Sequence, residues 1–350
     1  MYYLPAERQD MTEVLYMKEV KKAQITAAEI AALWTQYMNE TANLYIHRHM
    51  LEHIEDNEIK NIIVFAVNLG EKQINKIKSF FKREGHPIPV GFTDDDYTPQ
   101  CPRMFSDDYC LNYINIMSLH GCHGYSAAVT TCTRQDIRSY FTDCLEQATA
   151  LCNRTKDLLL KKGLYHRPPS ITPAKQVEFV KDNDFLTGWL GEKRSLSCME
   201  ISDIYFNLKK SIFAKAFILA AQQVVGEGSA KRLLQQALKI KEKHIRTFSD
   251  VMMKEHLPSP PIWDAEITDS TTSPFSEKLW MFQVGFLLST AQFYYSTGLG
   301  SSPRRDLIAK YTITITEVSK VSGDWIKIMI QNHWMEQPPL AENRKQLADK

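Results

Sequence analysis

Ile25-Thr26-Ala27-Ala28-Glu29-Ile30 returns 171 residues later as Leu196-Ser197-Cys198-Met199-Glu200-Ile201. The same interval relates Glu71-Lys72 to Glu242-Lys243, and Pro87 and Pro89 to Pro258 and Pro260. Further along it shortens to 170: Phe105-Ser106 returns as Phe275-Ser276, Asp136 as Asp306, and Pro168-Pro169 as Pro338-Pro339. One residue lost from a loop accounts for the change. Punctuation kept in order over so long a span marks an internal duplication, with units at about 25–170 and 196–340.

The matching residues also predict structure. Thr26 with Glu29, and Ser197 with Glu200, have capping-box spacing, in which hydroxyl and carboxylate satisfy amides that the first helical turn leaves free. The Pro-x-Pro pairs end each second helix, since proline cannot donate the next hydrogen bond, and the Pro-Pro pairs end each fourth. Between these marks, apolar periodicity predicts helices near 27–55, 57–84, 106–131 and 134–163, then 198–224, 229–255, 276–298 and 303–333. In the first helix the stripe is Ile30, Leu33, Trp34, Tyr37, Thr41, Leu44 and Leu51. The third helix of each unit is apolar nearly all round, as expected of a helix that is enclosed or faces the other unit.

The connection between second and third helices, Gly85–Phe105 and Leu257–Phe275, is far longer than the other turns. A long crossover at mid-unit lets those helices run parallel. The expected fold is therefore all-α, two tandem ferritin-like four-helix bundles related by duplication. Residues 1–24 form an N-terminal extension, 25–170 repeat 1, 171–195 a linker, 196–340 repeat 2 and 341–350 a C-terminal tail. The apolar linker run Phe185–Leu190 is expected to pack across the junction.

Bulk composition excludes several classes of function. Lys plus Arg number 42 and Asp plus Glu 41, so a net charge of +1 offers no field for a polyanion, and nucleic acid is not an expected partner. The apolar stretch Leu279–Tyr295 is broken by Gln283 and Gln292 and is too short to span a bilayer, so the chain is read as not transmembrane. No secretory leader is recognisable, and a cytoplasmic location is expected. The seven cysteines form no CxxC pair and are read as reduced core thiols, Cys144 and Cys152 among them.

A ferritin-like bundle raises the question of a di-iron site, which needs Glu-x-x-His on two helices and an inward Glu on the others. None of the ten histidines has Glu three residues before it. Of the mid-helix carboxylates, Glu71, Glu146 and Glu242 point away from their apolar stripes, and only Glu40 borders one, as an interhelix acceptor or surface pair. His120-Gly121-Cys122-His123 places two imidazoles on one helical face, read as interhelix hydrogen bonding, with zinc or copper as the sharper reading. His47, His49 and His53, with Glu52, are read as a solvated polar face. His244 falls on the apolar stripe of its helix as a satisfied core histidine, and Lys215 lies near the core side of its own. No phosphate loop, GxSxG elbow or HExxH is present.

Glu29-Ile30 through Tyr37-Met38, Pro87-Ile88-Pro89-Val90-Gly91-Phe92, Arg103-Met104-Phe105-Ser106-Asp107, Arg134-Gln135-Asp136-Ile137 and Leu158–Pro169 make up one set of phrases. Trp263-Asp264, Thr268–Thr271, Ser273–Ser276, Arg304–Leu307 and Gln337-Pro338-Pro339 are a second set in the second half. Together they resemble uncharacterised-function family 3231 of spore-forming bacteria, from residue 25 onward. The resemblance implies a ferritin-like bundle related to the spore coat protein F group, and expression linked to sporulation. It supplies no catalytic residue.

The function expected from these readings is a non-enzymatic structural or interaction protein of the cytoplasm or spore. Its expected partners are other spore or coat proteins, self-association is compatible with the fold, and no cofactor is called for. The alternatives are a metal-binding bundle with non-standard ligands, for which Glu40, His120 and His123 are the candidates, and a carrier of a small apolar molecule between helices.

Overall fold

The computed structural model describes residues 23–187 and 193–348. In unit 1 the helices are α1 (Ala27–His53), α2 (Asn57–Glu84), α3 (Asp107–Thr131) and α4 (Gln135–Lys161). Unit 2 repeats them as α5 (Cys198–Val224), α6 (Ser229–Lys254), α7 (Glu277–Ser301) and α8 (Arg305–Gln331), and a short α9 (Arg344–Ala348) follows. The chain is all-α, and its two four-helix units are copies of one plan. The linker stays largely exposed as far as Asp184. Of the run expected to pack across the junction, Phe185 is half-buried and lies 3.9 Å under the Arg194 guanidinium, while 188–190 lie outside the described residues.

Helix ends are tied in the same way in both units. Thr26 N donates to Glu29 Oε2 at 2.8 Å and Glu29 N to Thr26 Oγ1 at 3.3 Å, so the capping box forms. The other Glu29 oxygen accepts from the backbone amides of Thr133 (2.9 Å) and Arg134 (2.7 Å), joining the start of α4 to the start of α1. Burial raises the Glu29 pKa, but the bonds from Thr26, Arg134 and Thr133 outweigh it and hold the carboxyl below its usual range. Arg134 then reaches Glu84 at the end of α2, at 2.8 Å. Glu200, Arg304 and Glu255 make the corresponding cluster in unit 2. At the other end of unit 1, Asp107 at the start of α3 accepts the Asp56 amide at 2.7 Å, and Lys162 after α4 reaches Asp56 at 2.5 Å. The starts of α2 and α3 thus share one end of the bundle, so the two run parallel and the long connection spans the bundle's length.

Those two connections also join the units. Tyr97 pairs with Phe275 and Phe105 with Ile267 in isolated bridges. Thr98 N donates to Pro274 O at 2.9 Å, and its counterpart Thr268 N donates to Met104 O at 3.1 Å. Ser106 N donates to Glu266 O and Ser276 N to Asp96 O, each at 3.0 Å. Each contact is matched by its duplicate with the roles exchanged, the signature of a two-fold interface between like surfaces. Tyr113 and Gln283 occupy equivalent positions on α3 and α7, and the Gln283 amide donates to the Tyr113 hydroxyl at 2.5 Å. The apolar third helices therefore face the opposite unit. Phe105 stacks on Tyr109 at 5.0 Å and on Phe217 at 6.1 Å, and Phe217 lies 5.1 Å from Trp280, in one core that spans both units.

Candidate ligand cleft

A three-residue hydrogen-bond chain crosses the middle of each bundle. In unit 1 the Tyr125 hydroxyl of α3 lies 2.8 Å from Glu40 Oε1 of α1 and 3.3 Å from Gln73 Oε1 of α2. In unit 2 the equivalent Tyr295 lies 2.7 Å from Ser211 Oγ and 3.4 Å from His244 Nδ1. Glu40 is thus an interhelix acceptor. Burial raises its pKa and the Tyr125 hydrogen bond lowers it, with a net rise. Gly70 makes room for the carboxylate, since a Cβ there would lie 3.1 Å from Glu40 Oε2. In unit 2 the larger group has changed sides: the short Ser211 faces Lys241, which replaces Gly70 and is buried. Glu71, Glu146 and Glu242 are exposed.

The two units differ in what lies beside this chain. Between α1 and α3 a cleft of about 480 Å³ is open, walled by Ala28, Ala31, Ala32 and Thr35 on one side and by Gly121, Gly124, Ala127 and Ala128 on the other. Met117, Phe141 and Phe286 complete an apolar lining into which Gln36, Glu40, Asn43 and His120 bring polar groups. A second hollow of about 70 Å³ shares Glu40, Asn43, Met117, Gly121 and Tyr125 with it. In unit 2 the hollow around Ser211 and Tyr295 shrinks to about 10 Å³. Phe206 stands there in place of Thr35, Lys210 in place of Asn39 and Tyr294 in place of Gly124. The Phe206 ring meets Tyr294 edge-on with centroids 5.0 Å apart, and Lys210 Nζ lies over the Tyr294 face. Burial brings the Lys210 pKa down to about 5.

The other proposed ligands are held apart from Glu40. His120 and His123 both present Nδ1 to the Tyr294 hydroxyl, each at 3.1 Å, so this pair bonds across to α7. His120 is 7% exposed and its Nε2 has no hydrogen-bond partner; burial holds the ring's pKa well below the usual range, with Lys210 and His123 adding to the effect. Among the described residues, the potential metal ligands whose donor atoms converge in a group of three are His49, Glu52 and His53, within 4.8 Å of one another. The set Glu40, His120 and His123 is not such a group.

Two expectations are corrected. His47 and His49 do not lie on a solvated face: they are 7% and 1% exposed. The polar side of α1 is a second buried side, because Tyr113 of α3 packs on His47, and Phe105 and Phe275 from the two crossovers pack on His49. The thiols are not all core residues. Cys198 is exposed at the start of α5, and Cys122 and Cys152 are half-buried side by side on α3 and α4. A hydrogen bond from Cys122 is the main reason that the Cys152 pKa falls to about 6. His244 is a buried, bonded histidine, with Nε2 2.9 Å from Glu317 Oε2. Lys215 reaches Asp264 at 2.5 Å.

No helix of the described residues is long and apolar enough to cross a membrane. Residues 16–177 and 184–347 each match the model of a family described as "Protein of unknown function (DUF3231)", the first match beginning ahead of residue 25. Among solved structures, the chain is similar to a crystal structure from Bacillus halodurans described as a "putative spore coat protein". The similarity covers 44% of this chain and 99% of that one, at 17% identity and a TM-score of 0.41. No curated protein matches the chain.

Proposed function

The chain belongs to the DUF3231 family of proteins of unknown function, and from that footing we propose that it is a non-enzymatic binding protein in which unit 1 holds a small molecule and unit 2 braces it. One observation carries the reading: the same position in the duplicated bundle is a cleft of about 480 Å³ in unit 1 and a filled core of about 10 Å³ in unit 2. Small-molecule sites run from roughly 300 to 1,000 Å³ and are mostly apolar with a few placed polar groups, and the unit 1 cleft has that character. A ligand that suits it has a slender apolar body, to slide between the alanine and glycine rows, and one end able to donate hydrogen bonds or carry positive charge beside Glu40 and Asn43. The structural role expected from the sequence is kept for unit 2, whose centre is filled.

A place in sporulating cells, among other spore or coat proteins, is part of the same proposal and rests on the family resemblance alone. The test is native mass spectrometry of untagged protein from the cells that make it. A bound mass of one small molecule per chain, removed by organic extraction, is expected. A chain that flies at its sequence mass under gentle conditions, and that binds no added apolar amine, would remove the proposal.

A further inference from the structure

We propose that His49, Glu52 and His53 form a binding site for one divalent transition-metal ion at the C-terminal turn of α1. Two imidazoles four residues apart lie one turn above each other on a helix, and here their ring centroids are 4.8 Å apart. A carboxylate oxygen of Glu52 completes a group whose donor atoms all lie within 4.8 Å of one another. His49 is 1% exposed, yet neither of its ring nitrogens has a hydrogen-bond partner, and the buried Nε2 of His53 has none either. Orphaned nitrogens in a protein interior cost about 1–3 kcal/mol each, so one nitrogen from each of these neighbouring rings calls for something to bind.

An ion at this point satisfies nitrogens from both rings at once. The order His-x-x-Glu-His is one that places both imidazoles on zinc in other helices. An outer contact is in place too: the Gln100 backbone N–H donates to Glu52 Oε2 at 3.2 Å and steadies the carboxylate. Arg103, which lies near His49 and His53, is already matched by Asp107 and, at 3.7 Å, by Glu55. Two imidazoles and a carboxylate suit zinc, copper, nickel or cobalt better than calcium or magnesium, and three protein ligands leave a fourth position for water. In unit 2 the equivalent residues are Ala220, Gln223 and Val224, so that unit has no counterpart of the site. It lies in the interface beside Phe105 and Phe275.

The experiment uses the full chain without an affinity tag, loaded with Zn²⁺ at neutral pH and desalted, with bound zinc counted and the melting temperature recorded. One zinc per chain and a raised melting temperature are expected. Glu52 is exposed and His53 only half-buried, so Glu52→Gln and His53→Gln should keep the helical circular dichroism while zinc affinity falls at least about 10-fold. The pair His120→Ala with His123→Ala should leave zinc binding unchanged. No retained zinc, or zinc retained by the folded Glu52→Gln/His53→Gln double variant, would overturn the assignment.

Discussion

Tyr294 stands on α7 at the position that Gly124 holds on α3, and its ring fills in unit 2 the space that stays open in unit 1. Its hydroxyl then crosses to unit 1 and binds His120 and His123. The filled bundle thus supports the wall of the open one.

The glycines of the third helices should respond oppositely to alanine. A Cβ on Gly124 meets no atom within 4 Å, whereas one on Gly285 would lie 2.2 Å from the Trp325 ring. That indole is held by a hydrogen bond from Nε1 to Met281 O at 2.7 Å. Gly124→Ala should therefore leave stability unchanged or raise it by up to about 1 kcal/mol through helix propensity. Gly285→Ala should lower it by about 1–3 kcal/mol through overpacking. Urea unfolding of the two variants, compared with the parent chain, measures both.

Because one apolar core spans the two units, they should unfold together. Phe105 is 2% exposed and stacks on Tyr109 of its own unit and on Phe217 of the other. Phe105→Ala should cost about 3–5 kcal/mol and shift a single transition, not split it. Calorimetry that resolves two separate transitions in the parent chain would show that the shared core is not cooperative.

His244 gives a pH dependence with a definite sign. Burial, helped by Lys241 and opposed by Glu317, brings its pKa down to about 4, so the ring is neutral in the folded chain at pH 7. The unfolded ring takes up its proton near pH 6.5, so His244 adds to stability above 6.5 and that contribution is lost as pH falls from about 6.5 to 4. The full effect is on the order of 3 kcal/mol. Gln73 holds the equivalent position in unit 1, so His244→Gln should fold and should show a flatter loss of stability over that range. Melting temperatures of both proteins between pH 7 and pH 4 test this.

Most of the scaffold is written in residues that act locally. The capping boxes at Thr26 and Ser197, the proline pairs and the long crossovers suffice for eight helices and their directions, because each acts within one turn or one loop. What depends on the second unit is harder to read. His49 looks solvated on a helical wheel because the wheel assumes one buried side, and α1 has two once the other unit's crossover covers it. The cleft left no mark of its own, since alanine and glycine at helical spacing read as ordinary helix. The available signal lay in the comparison between repeats, at Thr35 against Phe206, Asn39 against Lys210 and Gly124 against Tyr294. Glu40, placed at the border of its stripe, does meet Tyr125, but His120 and His123 turn to Tyr294 instead.

We propose that the open middle of unit 1 is a binding site and not a packing defect. Titration with N-phenyl-1-naphthylamine, a neutral apolar amine, compares the parent chain with a Thr35→Phe/Gly124→Tyr variant that carries unit 2's fillers into unit 1. One saturable site with enhanced probe fluorescence is expected in the parent chain, and at least about a 10-fold loss of affinity in the variant at undiminished melting temperature. Equal binding by both proteins, or no saturable binding by the parent, would contradict it.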